Sequence, residues 1–545
     1  IEEKGLAENV RARLLNLPKS QEIKVRNLRS RNLNEMIVVE GIIRQASDVR
    51  PQVVNAKFEC PSCGTVLSVL QIEKKFREPM RCSCGRRGGF KMISKEMVDT
   101  QRLVIEESPE SLTGGEQPKR INIFLKEDLV EPYMEEKTTP GSRIKVMGIL
   151  KEVPVPLQSG GLSTRFELAL EANNIIPLEE TFEELDINEE DERQILELSQ
   201  DPKVFEKLTK SIIPSVWGYD EIKRCLILQL FGGVEKTHTD GQRSRGDMHI
   251  LLIGDPGVAK SATLVFMAKI SPKGRYVVGK SATGAGLTAT VVRDEYLRGW
   301  SLEAGSMVLA NRGLLCIDEL EKMDPGDRSA MHEAMEQQTV TISKANVHAT
   351  LRAETSVLAA ANPKFGRFDP FQSIAQQIDL PPTLINRFDV IFPLRDLPNR
   401  EKDELIATHV LHEHQKMGEE MLISKDLLRK YVAYAKQRIK PVLSDEAVDE
   451  MKKFYVELRN TPVSGEGAVR PIPISARQLQ ALIRMSEASA KMRLSETVDP
   501  GDAKRSIEIM KYYLMQVGYD YESKTFDIDR GTGGMPASQR NKVFI

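Results

Sequence analysis

Residues 254–261 read Gly254-Asp255-Pro256-Gly257-Val258-Ala259-Lys260-Ser261, between the apolar run Ile250-Leu251-Leu252-Ile253 and a helix-like stretch. Strand, small-residue loop and helix in that order make a phosphate cradle. Backbone N–H groups can approach the oxygens, and the helix N-terminus adds partial positive charge. Gly254 through Ala262 would line a bound nucleoside triphosphate, with Lys260 at its β- and γ-phosphates and Ser261 holding Mg²⁺ through its hydroxyl. Ala259 stands where Gly is usual before the Lys, and its methyl fits if the local φ is negative. On this motif alone, a chance glycine turn is the bland alternative.

Two further strand ends carry matching chemistry. Gly313-Leu314-Leu315-Cys316-Ile317 is a buried-strand run ending in Asp318-Glu319, where open α/β sheets bind ligands. Asp318 is placed for the Mg²⁺ shell and Glu319 to polarise an attacking water. An isolated Asp-Glu pair is usually a solvated turn; behind an apolar strand it reads as the metal and water pair. The run Ser356–Ala361 ends in Asn362-Pro363, so one amide could orient the lytic water, or simply start a turn.

Four of the six cysteines form Cys60-Pro61-Ser62-Cys63 and Cys82-Ser83-Cys84, each pair followed by Gly. Four thiolates at such spacing suit a tetrahedral, structural Zn²⁺ with no open position, although CxC in the second pair departs from the usual CxxC. Cys225 and Cys316, alone in apolar surroundings, read as buried thiols. His409, His412 and His414 lie in a charged helical stretch and offer no metal spacing.

These groups need elements to position them. Strand-like runs at 36–43, 101–105, 121–125, 142–149 and 165–170, with the cysteines inserted after the first, suggest an OB-type barrel. Arg143 and Lys145 alternate on one of these strands, and Lys151 and Arg165 flank a glycine turn read as a protruding hairpin. All four are candidate phosphate contacts, and a solvated strand face explains them equally well. Runs at 276–279, 307–310, 314–317, 356–361 and 390–392 alternate with helices as α/β strands. Beyond 424, helical spacing recurs at 431–438, 446–458, 476–490 and 503–515. The segment 236–245 reads as a basic external hairpin. Thr339–Ser343 and Val347–Leu351 flank Lys344-Ala345-Asn346, a hairpin with a cation at its tip.

The expected fold class is therefore multidomain: a zinc-bearing β OB-fold domain followed by an α/β P-loop NTPase domain with a helical lid. Its expected boundaries are a helical end at 1–18, the OB domain at 19–178 with zinc insertion at 57–92 and hairpin at 151–170, and an acidic linker at 179–200. The α/β core takes 201–397, the lid 398–530 and a tail 531–545. The formal net charge of −2 gives no global attraction to nucleic acid, so such contacts must come from local basic surfaces. The chain shows no apolar stretch near 18 residues and no signal-peptide pattern; a soluble intracellular protein without a membrane partner is expected.

The variant loop with Ala259, Ile317-Asp318-Glu319, Ala361-Asn362-Pro363 and Ile385-Asn386-Arg387-Phe388-Asp389, taken together in this order, resemble the minichromosome maintenance (MCM) replicative DNA helicases of the AAA+ class. The resemblance is archaeal-like and covers nearly the whole chain, without most of the N-terminal helical bundle and without the C-terminal winged helix. It implies a DNA helicase run by ATP, Mg²⁺ and structural Zn²⁺. Its partners would be further copies in a homo-hexamer or double hexamer, a DNA strand in the channel with duplex at the fork, and other replication-fork proteins. It implies a cytoplasmic, nucleoid-associated location in an archaeon or a nuclear one in a eukaryote. By motif match, Arg387 is the arginine finger and Arg477, in Ile474-Ser475-Ala476-Arg477, the sensor arginine, both acting on a neighbour's ATP. Read without the resemblance, Arg387 would pair with Asp389 and Arg477 would sit on a solvated helix. Lys344 would grip phosphate in the channel, beside a second loop at 281–289.

Overall fold

The computed structural model describes residues 12–526, apart from 71–77, 80, 108–117, 136–137, 157–161, 179–186, 242, 272, 282–283, 295–298, 345–346, 370–376, 397, 416–421, 461–475, 518 and 521–524. The glycine-rich tail from Arg530, the hairpin tip at 157–161 and residues 345–346 thus lie outside the described residues. The chain divides into two units, one of Ile1–Glu180 with Thr290–Ala304 and Ile342–Ala349, the other of Thr181–Ala289, Gly305–Thr341 and Thr350–Ile545.

In the first unit the strands Met36–Ser47, Lys91–Glu106, Arg120–Lys126, Leu162–Leu178 and Arg143–Pro156 each pair with the next, and the last pairs back to the first. Only Arg120–Lys126 and Leu162–Leu178 run parallel, which gives the OB connectivity. Alternation closes the core: Ile121, Ile123 and Leu125 point inward from one strand and meet Ile37, Leu103 and Ile144. At the closing seam Gly41 is obligatory, because a Cβ there would lie 2.6 Å from the Glu106 carbonyl oxygen. Strand Gly299–Ala304 adds to the free edge of Met36–Ser47, with Gln45 opposite Glu303.

The zinc insertion holds more sheet than its sequence suggests. Arg50–Glu59 pairs with Val66–Leu70 and with the outer half of Lys91–Glu106. That outer half is exposed at every position of residues 91–97, so it carries no apolar alternation to read. Residues 12–18 are not helical, against the expectation for 1–18. Arg13 pairs with Asp128 at 3.1 Å and the Leu14 N–H donates to Asn173, tying this segment along the barrel.

The second unit is built on five parallel strands in the order Arg275–Val278, Leu314–Asp318, Ser356–Ala361, His249–Gly254, Val390–Leu394. The last four are buried at every position, as strands covered on both faces must be. The run at 307–310, expected as a sixth strand, is a helical turn, Ser306–Leu309. Gly305 caps it, its carbonyl accepting from the Leu309 N–H at 2.9 Å, and four apolar residues cannot distinguish buried strand from buried helix. The lid helices Lys425–Arg438, Asp445–Arg459, Ala476–Met492 and Pro500–Val517 match their apolar spacing.

The acidic stretch is not a solvated linker over its described part. Residues Glu189–Ser199 form a helix that buries Ile195, and Asp191 and Glu192 pair with Lys430 and Arg438 at 2.5 and 2.8 Å. Its charge repels nucleic acid but is complementary to the lid. The basic hairpin pairs Lys236–Thr237 with Arg243–Ser244, yet Arg245 is turned inward onto Asp389 at 3.0 Å.

Replacing Gly41 by Ala is expected to push the barrel seam apart and destabilise the protein by about 1–3 kcal/mol. Urea unfolding followed by circular dichroism reads this directly, and an unchanged midpoint would contradict the seam's tightness.

Candidate nucleotide site and metal centre

The phosphate loop leaves the C-terminal end of His249–Gly254 and enters the helix Lys260–Ile270. Gly254 is required because a Cβ would lie 2.6 Å from the Leu394 Cβ, and Gly257 because its φ is +91°. Ala259 departs from the condition placed on it: its φ is +60°, in the left-handed region. That conformation costs an L-residue about 1–2 kcal/mol. In it the Ala259 carbonyl accepts from the Thr263 N–H at 3.0 Å and the Thr263 hydroxyl at 2.9 Å, which fixes the first helical turn. Pro256 and Gly257 are exposed at the loop crest, Val258 and Ala259 half-buried behind it, and Ser261 and Ala262 exposed on the helix.

Lys260 is buried, and its ammonium donates to the Gly254 and Asp255 carbonyls at 2.6 and 2.7 Å. Burial pulls its pKa down, opposed by Asp318, Glu321 and Asp255. Asp255, taken from the sequence as a phosphate-loop residue, uses both oxygens on backbone. Oδ1 accepts the Phe368 N–H at 2.7 Å and Oδ2 the Asp396 N–H at 2.9 Å, so it pins two loops to the cradle.

Asp318 ends Leu314–Asp318 and accepts from the Tyr276 hydroxyl and the Glu319 N–H, each at 2.9 Å. Burial and the Asp318 carboxylate push the Tyr276 phenol up to about 12, so it stays a donor. Glu319 has φ +54° and pairs with Lys322 at 2.5 Å. Asn362 donates to Glu321 Oε1 at 2.8 Å, while Glu321 Oε2 is buried with no hydrogen-bond partner. Sequence reasoning passed over Tyr276 and Glu321, although Asp318-Glu319-Leu320-Glu321 showed a third carboxylate one turn on.

Arg387 and Arg477 form a second cluster. Glu336 on the helix Pro325–Gln337 pairs with Arg387 and, at 3.3 Å, with Arg477, which also donates to the Asn386 carbonyl at 2.5 Å. The two arginines hold the Glu336 carboxyl below its ordinary pKa. The pair expected between Arg387 and Asp389 gives way to this bridge, and Asp389 faces Arg245 and Arg484. The charges acting on Lys260 and those acting on Glu336 are separate sets. Lys260, Asp318 and Asn362 lie at the C-terminal ends of their strands, whereas Arg387 precedes Val390–Leu394. Five residues of parallel strand, about 16 Å, separate the two edges.

In the first unit Cys60, Cys63, Cys82 and Cys84 converge, with all four sulfurs within 4.8 Å of one another. Cys60 and Cys84 are 3.6 Å apart, Cys63 and Cys82 3.5 Å. A tetrahedral site with Zn–S bonds of about 2.3 Å has sulfur edges of about 3.8 Å, so the thiols fit that ion. Gly64 and Gly85, at φ +70° and +94°, make the knuckle turns, the Gly64 N–H donating to Cys60 and the Gly85 N–H to Cys82. Among the described residues no other group of three or more His, Cys, Asp or Glu side chains is gathered closely enough to share a metal.

The MCM OB domain matches residues 24–154, the MCM P-loop domain 191–414 and the MCM AAA-lid domain 426–514. The chain is 40% identical to "Minichromosome maintenance protein MCM" of Saccharolobus solfataricus, covering 98% of this chain and 78% of that protein. The chain belongs to the MCM family. It is also similar to "DNA replication licensing factor MCM4" of Arabidopsis thaliana (34% identity, 98% of this chain, 65% of the relative). A third relative is "DNA replication licensing factor mcm7" of Schizosaccharomyces pombe (35% identity, 92% of this chain, 67% of the relative). The family is one of AAA+ P-loop helicases, and its P-loop implies a nucleotide and Mg²⁺.

Three of the cations singled out on the MCM barrel are engaged. Arg143 pairs with Glu40 through Nε at 2.9 Å, Lys145 with Glu22 at 3.1 Å, and Lys151 with Glu171. Arg165 lies in Leu162–Leu178, and Lys344 ends Thr339–Lys344, the strand paired with Val347–Arg352. No helix among the described residues is long and apolar enough to cross a membrane.

Metal analysis of the purified chain is expected to return one zinc per chain, and Cys82→Ser to lose it. Limited proteolysis would then open residues 50–100 while the barrel strands Arg120–Lys126 and Arg143–Pro156 stay protected. Full zinc content in the variant would contradict the site.

Proposed function

We propose that this MCM chain is a subunit of a homo-hexameric ring, single or double, that hydrolyses ATP at its seams, moves along one DNA strand and parts the duplex. The observation that carries this is the split site. Lys260, Asp318 and Asn362 occupy one edge of the sheet, and Arg387 and Arg477 gather about 16 Å away at the other. One subunit cannot bring both groups to one γ-phosphate, whereas a neighbour's opposite edge can.

In this reading the nucleotide's phosphates lie on the backbone of Gly254–Ala262 and on Lys260, with Mg²⁺ held by the Ser261 hydroxyl and Asp318. The Tyr276 hydrogen bond fixes one Asp318 oxygen, which sets the ligand's direction. Glu319 polarises the water once it leaves Lys322, and Asn362, steered by Glu321, orients it. The neighbour's arginine forks stabilise the charge that develops on the transferred phosphoryl group. Zn²⁺ would hold the knuckles of the outer sheet, and Lys344 would meet phosphates, joined by Arg143, Lys145, Lys151 and Arg165 where phosphate takes the place of the carboxylates that Arg143, Lys145 and Lys151 now pair with. The relatives' names, which speak of DNA replication licensing, support DNA as the track.

Forked-duplex unwinding separates the roles. Lys260→Ala and Arg387→Ala are each expected to lose unwinding and keep DNA binding, with kcat for ATP lowered about 10³-fold by loss of the finger. Mixed together, the two variants should regain part of the ATPase, because each supplies the half-site the other lacks. Unimpaired unwinding by Arg387→Ala would remove the shared site.

A further inference from the structure

Behind Arg387 and Arg477 lies a buried charge cluster that hydrolysis itself does not use. Asp389, two residues after Arg387, is 7% exposed. Its Oδ1 accepts from Arg484 Nη1 at 2.5 Å and Arg245 Nη2 at 3.0 Å, and its Oδ2 accepts the His249 N–H at 2.8 Å. Arg484 is itself 7% exposed and lies on Ala476–Met492, about two turns along the same helix as Arg477. Its Nε donates to the Arg245 carbonyl at 3.0 Å. Arg245 then reaches two more segments, donating to the Arg387 carbonyl at 3.3 Å and to the Met335 carbonyl at 2.9 Å, next to Glu336.

One buried carboxylate thus joins the loop carrying Arg387, the helix carrying Arg477 and, through Arg245, the helix carrying Glu336. Burial by itself would raise the Asp389 pKa, but Arg245 and Arg484 hold it below the ordinary carboxylate range, so the charge persists. Buried ion clusters are poor stabilisers, since apolar replacements of equal volume are often as stable; what such a cluster supplies is fixed geometry. Two planar guanidinium groups meeting on one carboxylate oxygen, each with further N–H groups on backbone carbonyls, set both distance and angle between the segments they join.

We propose that Asp389, Arg484 and Arg245 form a positioning clamp that sets Arg387 and Arg477 relative to each other, so that both forks arrive together on the neighbouring subunit's triphosphate. This rests on the shared-seam reading above. The clamp residues touch no nucleotide and act through the two arginines.

The test uses the full chain, assembled, with Arg484→Lys and Asp389→Asn. Arg484→Lys keeps the charge against Asp389 and removes only the fork, so it guards against a variant that fails to fold; thermal unfolding is recorded for both. Each variant is expected to lower kcat about 10²-fold, as a misplacement near 1 Å does. The KM for ATP should stay within about twofold, because the Lys260 edge is intact. Mixing either variant with Lys260→Ala should restore turnover to the level of the Lys260→Ala and Arg387→Ala mixture, and mixing it with Arg387→Ala should restore none. A general loss of folding would not sort the mixtures in this way. If the Lys260→Ala and Arg387→Ala mixture recovers and the clamp variants do not, or if they lose ATP affinity or keep full kcat, the clamp is overturned. If that reference mixture itself stays inactive, the shared seam fails and the clamp with it.

Discussion

A parallel strand has two different ends, and the α/β unit of this chain is organised around that fact. Every strand of the sheet runs the same way, so loops that follow strands collect at one edge and loops that precede them at the other. Lys260 and Asn362 follow their strands and Asp318 ends its own, whereas Arg387 precedes Val390–Leu394. The sheet that aligns the first three side chains therefore holds the fourth away from them. Arg477 joins Arg387 through Glu336 and the Asn386 carbonyl, so the two arginines form one patch on the far edge. The chemistry of a phosphoryl transition state needs cations on both sides, and the proposed ring of like subunits would meet that need by repetition.

Within each edge, structure is spent on direction as much as on charge. Asp255 turns both oxygens to backbone amides and shapes the cradle from behind. Tyr276 orients Asp318, and Glu321 orients Asn362. Ala259 holds a left-handed backbone so that its carbonyl can receive Thr263, strain of the kind that collects at functional sites. Glu319, paired with Lys322, stands a side-chain rotation away from the role its position implies.

The parts legible in the sequence were those whose signal is local. The phosphate loop, Asp318 at the end of an apolar run, the four cysteines, the barrel strands with inward alternation and the lid helices all declare themselves within a short stretch of chain. What stayed hidden depends on partners distant in the chain. Glu336 displaced Asp389 as the partner of Arg387 because the fold brings a helix 50 residues upstream beside it. Arg143 and Lys145 looked like free cations until strand pairing set Glu40 across from Lys145 and brought Arg143 to it. The outer zinc stretch 91–97, exposed at every position, had no periodicity to show, and Ser306–Leu309 was too short for its helical turn to be told from a strand. The acidic stretch read as solvated because its cations, Lys430 and Arg438, lie in the lid.

On the shared-seam reading, no single copy of this chain contains a complete hydrolytic site. ATP turnover per chain, measured over a wide range of protein concentration alongside sedimentation to report assembly, tests it most directly. Turnover is expected to be negligible where the chain sediments as a monomer and to rise in step with the assembled fraction to a plateau. A monomer that hydrolyses ATP at the plateau rate would contradict the account.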